Sequence, residues 1–319
     1  MEPNPRDQPQ ESAPPDASAS GAAGPRAWAG VVRTEGRRLA ERADAERRRH
    51  PSVDAVYEMV ERDAEVGGGI IAAALAYRLF IWLLPVALVA VAGLGIAADA
   101  SSGSPEDAAE SLGFEGLISN SVANAAESPN RWYALLIGIP ILVWATRSLL
   151  RTLIGAHRLV WGDVRTSVTK PTIARSLEFL GLLLCLGIVS TVASGLRNWS
   201  TVPGMLATVA AVAPYAGLWL VVALRLPHGD APWTALVPGA VVYGAGTEII
   251  HAVVAYVITP WALAKQGTYG ALGLAAALLV CLFLISRLVV ASAVVNATLW
   301  TRRARDAPPR RSAGAVTPG

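Results

Sequence analysis

Three ionisable side chains stand inside long apolar stretches of a 319-residue chain: Arg78, Glu248 and Arg287. A guanidinium is a planar fork of donors that matches carboxylate or phosphate. A carboxylate among apolar neighbours needs a partner. His251 lies three residues beyond Glu248, on the same face of a helix. Asn296 lies nine residues past Arg287 in the same apolar run. The simplest arrangement pairs Glu248 with Arg287 or Arg78 and leaves one net positive charge, which an anionic group would complete. Arg78, Glu248, His251, Arg287 and Asn296 are therefore candidate substrate-binding residues. A buried ion pair that only fixes helix register is the competing explanation.

The elements that must position them are six apolar runs, over about residues 66–98, 132–150, 172–196, 202–226, 233–258 and 269–300. Each meets or exceeds the ~20 residues that cross ~30 Å of hydrocarbon at about 1.5 Å per residue. None shows the polar stripe of a soluble amphipathic helix. The fold expected is all-α: a polytopic membrane protein, a bundle of six transmembrane helices preceded by a short amphipathic helix. Charge inside such a span costs at least about 2.5–3.5 kcal/mol on insertion scales, so these side chains should face the bundle interior. Counted from the run ends, Arg78, Glu248 and Arg287 lie at depths of roughly 18–23 Å, which puts all three in one layer near the midplane. Pro85, Pro140, Pro214 and Pro238 each remove a backbone hydrogen bond within a run. Broken helices line transport sites, while small residues such as Gly239, Gly244 and Gly246 more often serve close helix packing.

Orientation follows from Lys and Arg. The segment before residue 66, the stretch holding Arg147, Arg151, Arg158, Arg165, Lys170 and Arg175, the short loop at Arg225 and the C-terminal tail carry nearly all of them. The opposite side has Arg131, Arg197 and Lys265. With an even number of spans, both termini are expected in the cytoplasm. Trp132, Trp161, Trp199, Trp233, Trp261 and Trp300 fall near run ends, as in an interfacial aromatic belt. Glu178, near a cytoplasmic end, is expected to snorkel or pair with Arg175.

Outside the spans, residues 1–26 are rich in Pro, Ala, Ser and acids and read as a disordered tail. Residues 27–65 form a charged cytoplasmic helical segment. In it Val53, Val56, Tyr57 and Val60 oppose Asp54, Glu58, Glu61 and Asp63, which fits either a helix on the membrane surface or a solvated helix packed on the bundle. The transmembrane domain covers 66–300, and 301–319 read as a disordered basic tail. The loop over 99–131 is acidic, and Ser104-Pro105-Glu106 predicts a short helix within it.

Enzyme signatures are missing. The four histidines lack metal spacing, and no P-loop, GxSxG or HExxH occurs. Cys185 and Cys281 sit in apolar runs without CxxC spacing. No catalytic residue, cofactor, metal or nucleic-acid partner is expected, and the chain reads as a non-enzyme. The high Arg content against two lysines, with abundant Ala, Gly and Pro, points to a GC-rich bacterial source.

Several stretches resemble one family. The first run reads AAALAYRLFIWLLPVALV, RLPHGDAPWTALVPGA leads into the fifth, and TYGALG opens and SAVVNA closes the sixth. With VWATRSLLRTLIGAHRLVWG in the second, these are similar to the YihY/virulence factor BrkB family over about residues 50–300. Two departures stand out: Arg78-Leu79-Phe80-Ile81-Trp82 replaces a small-polar stretch, and Val294 replaces a glutamate near the retained Asn296. No role of that glutamate carries over. Members were once labelled ribonuclease BN, and some are linked to export of lipid-linked or envelope molecules. The resemblance implies a transport role in the bacterial inner membrane. Membrane lipids are the expected partners, and an anionic lipid or solute the expected substrate. A non-transporting scaffold that binds anionic lipid or a protein partner is the alternative, and it predicts no cavity at the charged layer.

Overall fold

The computed structural model describes residues 49–101, 131–162, 171–197 and 201–306. The chain divides into two compact units, Met1–Asp54 and Ala55–Gly319. Only the end of the first is described, and the helical bundle belongs to the second. The helices are α1 (Pro51–Glu65), α2 (Gly68–Ser101), α3 (Arg131–Trp161), α4 (Ile173–Arg197), α5 (Thr201–Arg225), α6 (Trp233–Val253), a π-helical turn (Val254–Ile258) and α7 (Thr259–Asp306). Among the described residues there is no strand. Six helical stretches are long and apolar enough to cross a membrane: Gly68–Gly93, Trp132–Trp161, Ile173–Leu196, Thr208–Arg225, Trp233–Trp261 and Ala275–Asp306. The chain is a six-span, all-α membrane protein, because lipid offers the backbone no hydrogen bonds and helices satisfy their own.

Three boundaries differ from those expected of the sequence, the first being the stretch 259–268 between the fifth and sixth runs, which is helical as the start of α7. Hydropathy ends the second span near residue 150, but α3 continues to Trp161. Arg147, Arg151 and Arg158 are therefore helical rather than part of a loop. Hydropathy falls where arginines begin, yet arginine is a good helix former and nothing breaks the ladder. The helix stops at Gly162, whose φ of 71° suits a left-handed cap. Likewise, residues 301–306 form the last turns of α7 rather than the start of a disordered tail. The expected disordered tails over 1–26 and 307–319, the segment 27–48 and the helix predicted near Ser104 lie outside the described residues.

The core gathers Ala72 and Leu75 of α2, Leu149 and Leu153 of α3, Phe179 of α4, Trp219 of α5, Tyr243 of α6 and Val290 of α7. Helices approach most closely at glycines. A Cβ on Gly239 would strike the Ser292 carbonyl and the Asn296 side chain, and one on Gly246 would strike Leu288. These two contacts run antiparallel, so the chain doubles back between α6 and the later part of α7. Large apolar side chains point outward instead, as lipid requires: Ile70, Leu136, Ile188 and Tyr256, the last 81% exposed.

Helix α1 inverts the usual amphipathic arrangement. Glu58, Arg62 and Asp63 bond to the bundle, while Val56, Tyr57 and Val60 are exposed. Both sequence alternatives hold part of this: α1 packs on the bundle through these polar groups and Met59, which lies against the core, while Val56, Tyr57 and Val60 face outward. Gly67, at φ 66°, makes the corner into α2, a conformation that an L side chain resists.

Candidate functional site

Arg287 does not pair with Glu248. Its Nη1 and Nη2 donate to Asp63 Oδ1 and Oδ2 of α1 at 2.6 and 2.5 Å, a bidentate fork. A Cβ on Gly68 would meet both the Asp63 carboxylate and Arg287 Nη1, so only glycine leaves room for this pair at the α1–α2 corner. The long side chain carries its charge away from the interior and toward that corner. Arg78 takes a third route: its Nη1 donates to Ser148 Oγ of α3 at 3.0 Å. The single layer of three charges expected from depth counting is therefore not formed around one centre. Depth along a helix axis fixes Cα height but not where a long side chain ends.

The α1 corner is an ionic clamp. Arg302 Nη1 donates to Glu58 Oε2 at 2.8 Å, and Arg305 donates to Glu58 Oε1. Arg62 donates through Nε and Nη2 to the Val160 carbonyl at 3.1 and 3.0 Å, and through Nη1 to Thr301 Oγ1 at 3.2 Å. The Val160 carbonyl is one of the terminal acceptors that α3 cannot satisfy internally. Burial pulls the Glu58 carboxyl upward, but the hydrogen bonds and charges of Arg305 and Arg302 outweigh it and hold it below the ordinary carboxylate range. Burial lowers the Arg62 guanidinium, opposed by Glu65 and Glu58. A polar recess of about 470 Å³ opens here, lined by Glu58, Glu61, Arg62 and Thr298 among others. Glu178, expected to snorkel or to pair with Arg175, pairs instead with Arg225 across α4 and α5.

Glu248 and His251 do come together. Glu248 is 8% exposed, and its Oε1 lies 3.8 Å from His251 Nδ1. His251 Nε2 shares a hydrogen bond of 3.3 Å with Ser190 Oγ of α4, and its ring lies 5.8 Å from that of Tyr215 of α5. The π-helical turn begins three residues beyond His251, and such turns recur at functional sites. His251, Ser190 and Tyr215 border a chamber of about 260 Å³ lined also by Tyr243, Thr247 and Cys281, with apolar neighbours. The Tyr215 hydroxyl is buried with no hydrogen-bond partner among the described residues.

A second chamber, of about 220 Å³, adjoins it. Leu75, Leu153, Leu183, Trp219, Tyr243 and Leu282 line it together with other apolar residues, so all six spans contribute. Leu186, Tyr243 and Ile285 belong to both walls. Tyr243 stacks on Trp219, centroids 4.2 Å apart, and Trp219 Nε1 donates to Ser292 Oγ at 2.9 Å, which fixes this dividing wall. Neither Arg78 nor Arg287 lines either chamber.

Asn296 accounts for a proline. Pro238 cannot continue the α6 ladder, and the next amide, that of Gly239, donates to Asn296 Oδ1 at 2.7 Å. Asn296 is thus spent on the α6–α7 contact. Sequence reasoning misses Ser190, Tyr215, Trp219 and Tyr243, because aromatic and hydroxyl residues within a span read as packing. The one signal that could have found them is the buried hydrogen-bond need of tyrosine and tryptophan.

A family model described as virulence factor BrkB matches residues 61–316. No curated protein and no solved structure shows a significant match.

Proposed function

The chain belongs to the virulence factor BrkB family, and on that premise we propose that it is a flippase-like carrier or exporter of an anionic, amphipathic substrate of lipid character. It works in this reading as a multi-pass protein of the bacterial inner membrane, with both termini in the cytoplasm, and performs no covalent chemistry. The carrying observation is the pair of adjoining chambers, one walled by apolar side chains from all six spans and one bearing the hydrogen-bonded His251 and Ser190. An acyl chain suits the first and a polar head the second. Each alone is smaller than the roughly 300 Å³ of an ordinary small-molecule pocket, so one amphipathic occupant would use both. The chain shows no P-loop, which leaves a gradient or a partner as the driving force.

The test is translocation in vesicles. Full-length protein in liposomes with a trace of fluorescent phosphatidylglycerol should expose inner-leaflet label to an external quencher faster than protein-free vesicles. Tyr243→Ala, which opens the shared wall, and His251→Ala should both change that rate. Wild-type protein that matches empty vesicles would overturn the reading. The scaffold alternative keeps one observation in its favour, that neither membrane arginine lines a chamber, and it predicts that null result.

A further inference from the structure

Arg78, Arg147 and Arg151 carry three positive charges with no carboxylate to answer them among the described residues. Arg78 bonds Ser148. Arg147 is the chain neighbour of Ser148 and Arg151 lies one turn along, so both rise from α3 within a turn of its contact with Arg78. The Nε of Arg147 is buried without a hydrogen-bond partner among the described residues. Helix α3 contains no acidic residue, and the one acid of α2, Asp99, stands about 31 Å along the helix from Arg78. Uncompensated charge at this depth is costly, and an anion is the remaining way to neutralise it.

The surface beside the cluster says what kind of anion. Ile137, Ile141, Trp144, Ser148 and Arg151 repeat at alternating spacings of four and three, which is one face of α3. Ile137, Ile141 and Trp144 on that face are exposed, Trp144 at 64%. Tyr77 and Leu84 are exposed on the neighbouring α2. An apolar strip capped by guanidinium groups has the layout of a phospholipid, with acyl chain below and phosphate above. Arginine forks suit phosphate oxygens.

We propose that the α2–α3 seam binds an anionic phospholipid, its phosphate held by Arg78, Arg147 and Arg151 and its acyl chain lying along Ile137, Ile141 and Trp144. This outward-facing site is separate from the two chambers, and it stands whether or not the chain moves lipid.

The experiment uses full-length protein in nanodiscs and reads Trp144 emission as the difference from Trp144→Phe. Chain-brominated phosphatidylglycerol should quench it at lower mole fraction than brominated phosphatidylcholine. At about 1 kcal/mol per basic residue, Arg147→Gln with Arg151→Gln should weaken that preference roughly thirtyfold, while lysine at both positions should keep most of it. Equal quenching of the Trp144 signal by the two lipids overturns the proposal, and this arm needs only the conservative Trp144→Phe variant, with every arginine intact. Abolition of the preference by added inorganic phosphate also overturns it, in favour of a free-anion site. Failed translocation in vesicles would count against the carrier reading and leave this site standing.

Discussion

Arg287 and Arg78 begin from the same sequence description, a guanidinium inside an apolar run, and end in opposite circumstances. Arg287 reaches the α1–α2 corner and is met by both oxygens of Asp63. Arg78 meets one serine hydroxyl. A charge answered by its own chain belongs to the architecture, and a charge left unanswered is available to a ligand. The difference lies in the neighbours: the α1 corner brings acids beside Arg287, Arg302 and Arg305, whereas α3 offers Arg78 a serine hydroxyl and no acid.

The contrast breaks most strongly at Asp63. Asp63→Ala leaves Arg287 with no carboxylate in a half-buried setting, and a loss of about 2–3 kcal/mol is expected, scaled down from the fully buried case. Thermal unfolding in detergent would measure it. Arg287→Ala added to Asp63→Ala should recover part of that loss, and strict additivity would show that the fork is not what holds the corner.

Acid should act next, at about 1–2 kcal/mol for a charge-assisted bond. The Glu58 carboxyl is held below its ordinary value, so its contribution is complete above the usual carboxylate range and is lost as pH falls through the lowered value. Proteolysis near the α1 end should accelerate over that acid window, and Glu58→Gln should be already fast at neutral pH and flatter across it. A wild-type cleavage rate that does not change with pH would remove Glu58 from the clamp.

Arg78→Gln is the smallest in stability, within about 0.5 kcal/mol, since it removes a single exposed bond to a hydroxyl. A shift as large as that of Asp63→Ala would place Arg78 with the architecture and dissolve the comparison.

The spans were legible because hydropathy is written residue by residue, and 132–150 or 172–196 needed no knowledge of anything distant. The partner of Arg287 was not legible, because Asp63 lies 224 positions away and outside every apolar run. A search for partners restricted to acids deep within the spans could return only Glu248. The end of α3 was misplaced for the related reason that arginine ends an apolar run without ending a helix. The pairing of Glu248 with His251 was visible as a helical spacing of three, while the chambers were not, since Trp219, Tyr215 and Tyr243 line a cavity with the same letters that would fill one. Where the chambers lie is decided by how α4, α5 and α7 lean on α6, which no single run records.

The hydrogen bond from Gly239 to Asn296 has a consequence for biogenesis. Spans enter a bilayer in chain order and associate afterwards. When the helix bearing Pro238 first arrives, the acceptor for the Gly239 amide has not yet been inserted, since Asn296 belongs to the last span. The fifth span is therefore incomplete in lipid on its own, and the sixth completes it, so truncation before Asn296 should yield a chain that inserts and is then cleared by quality-control proteases.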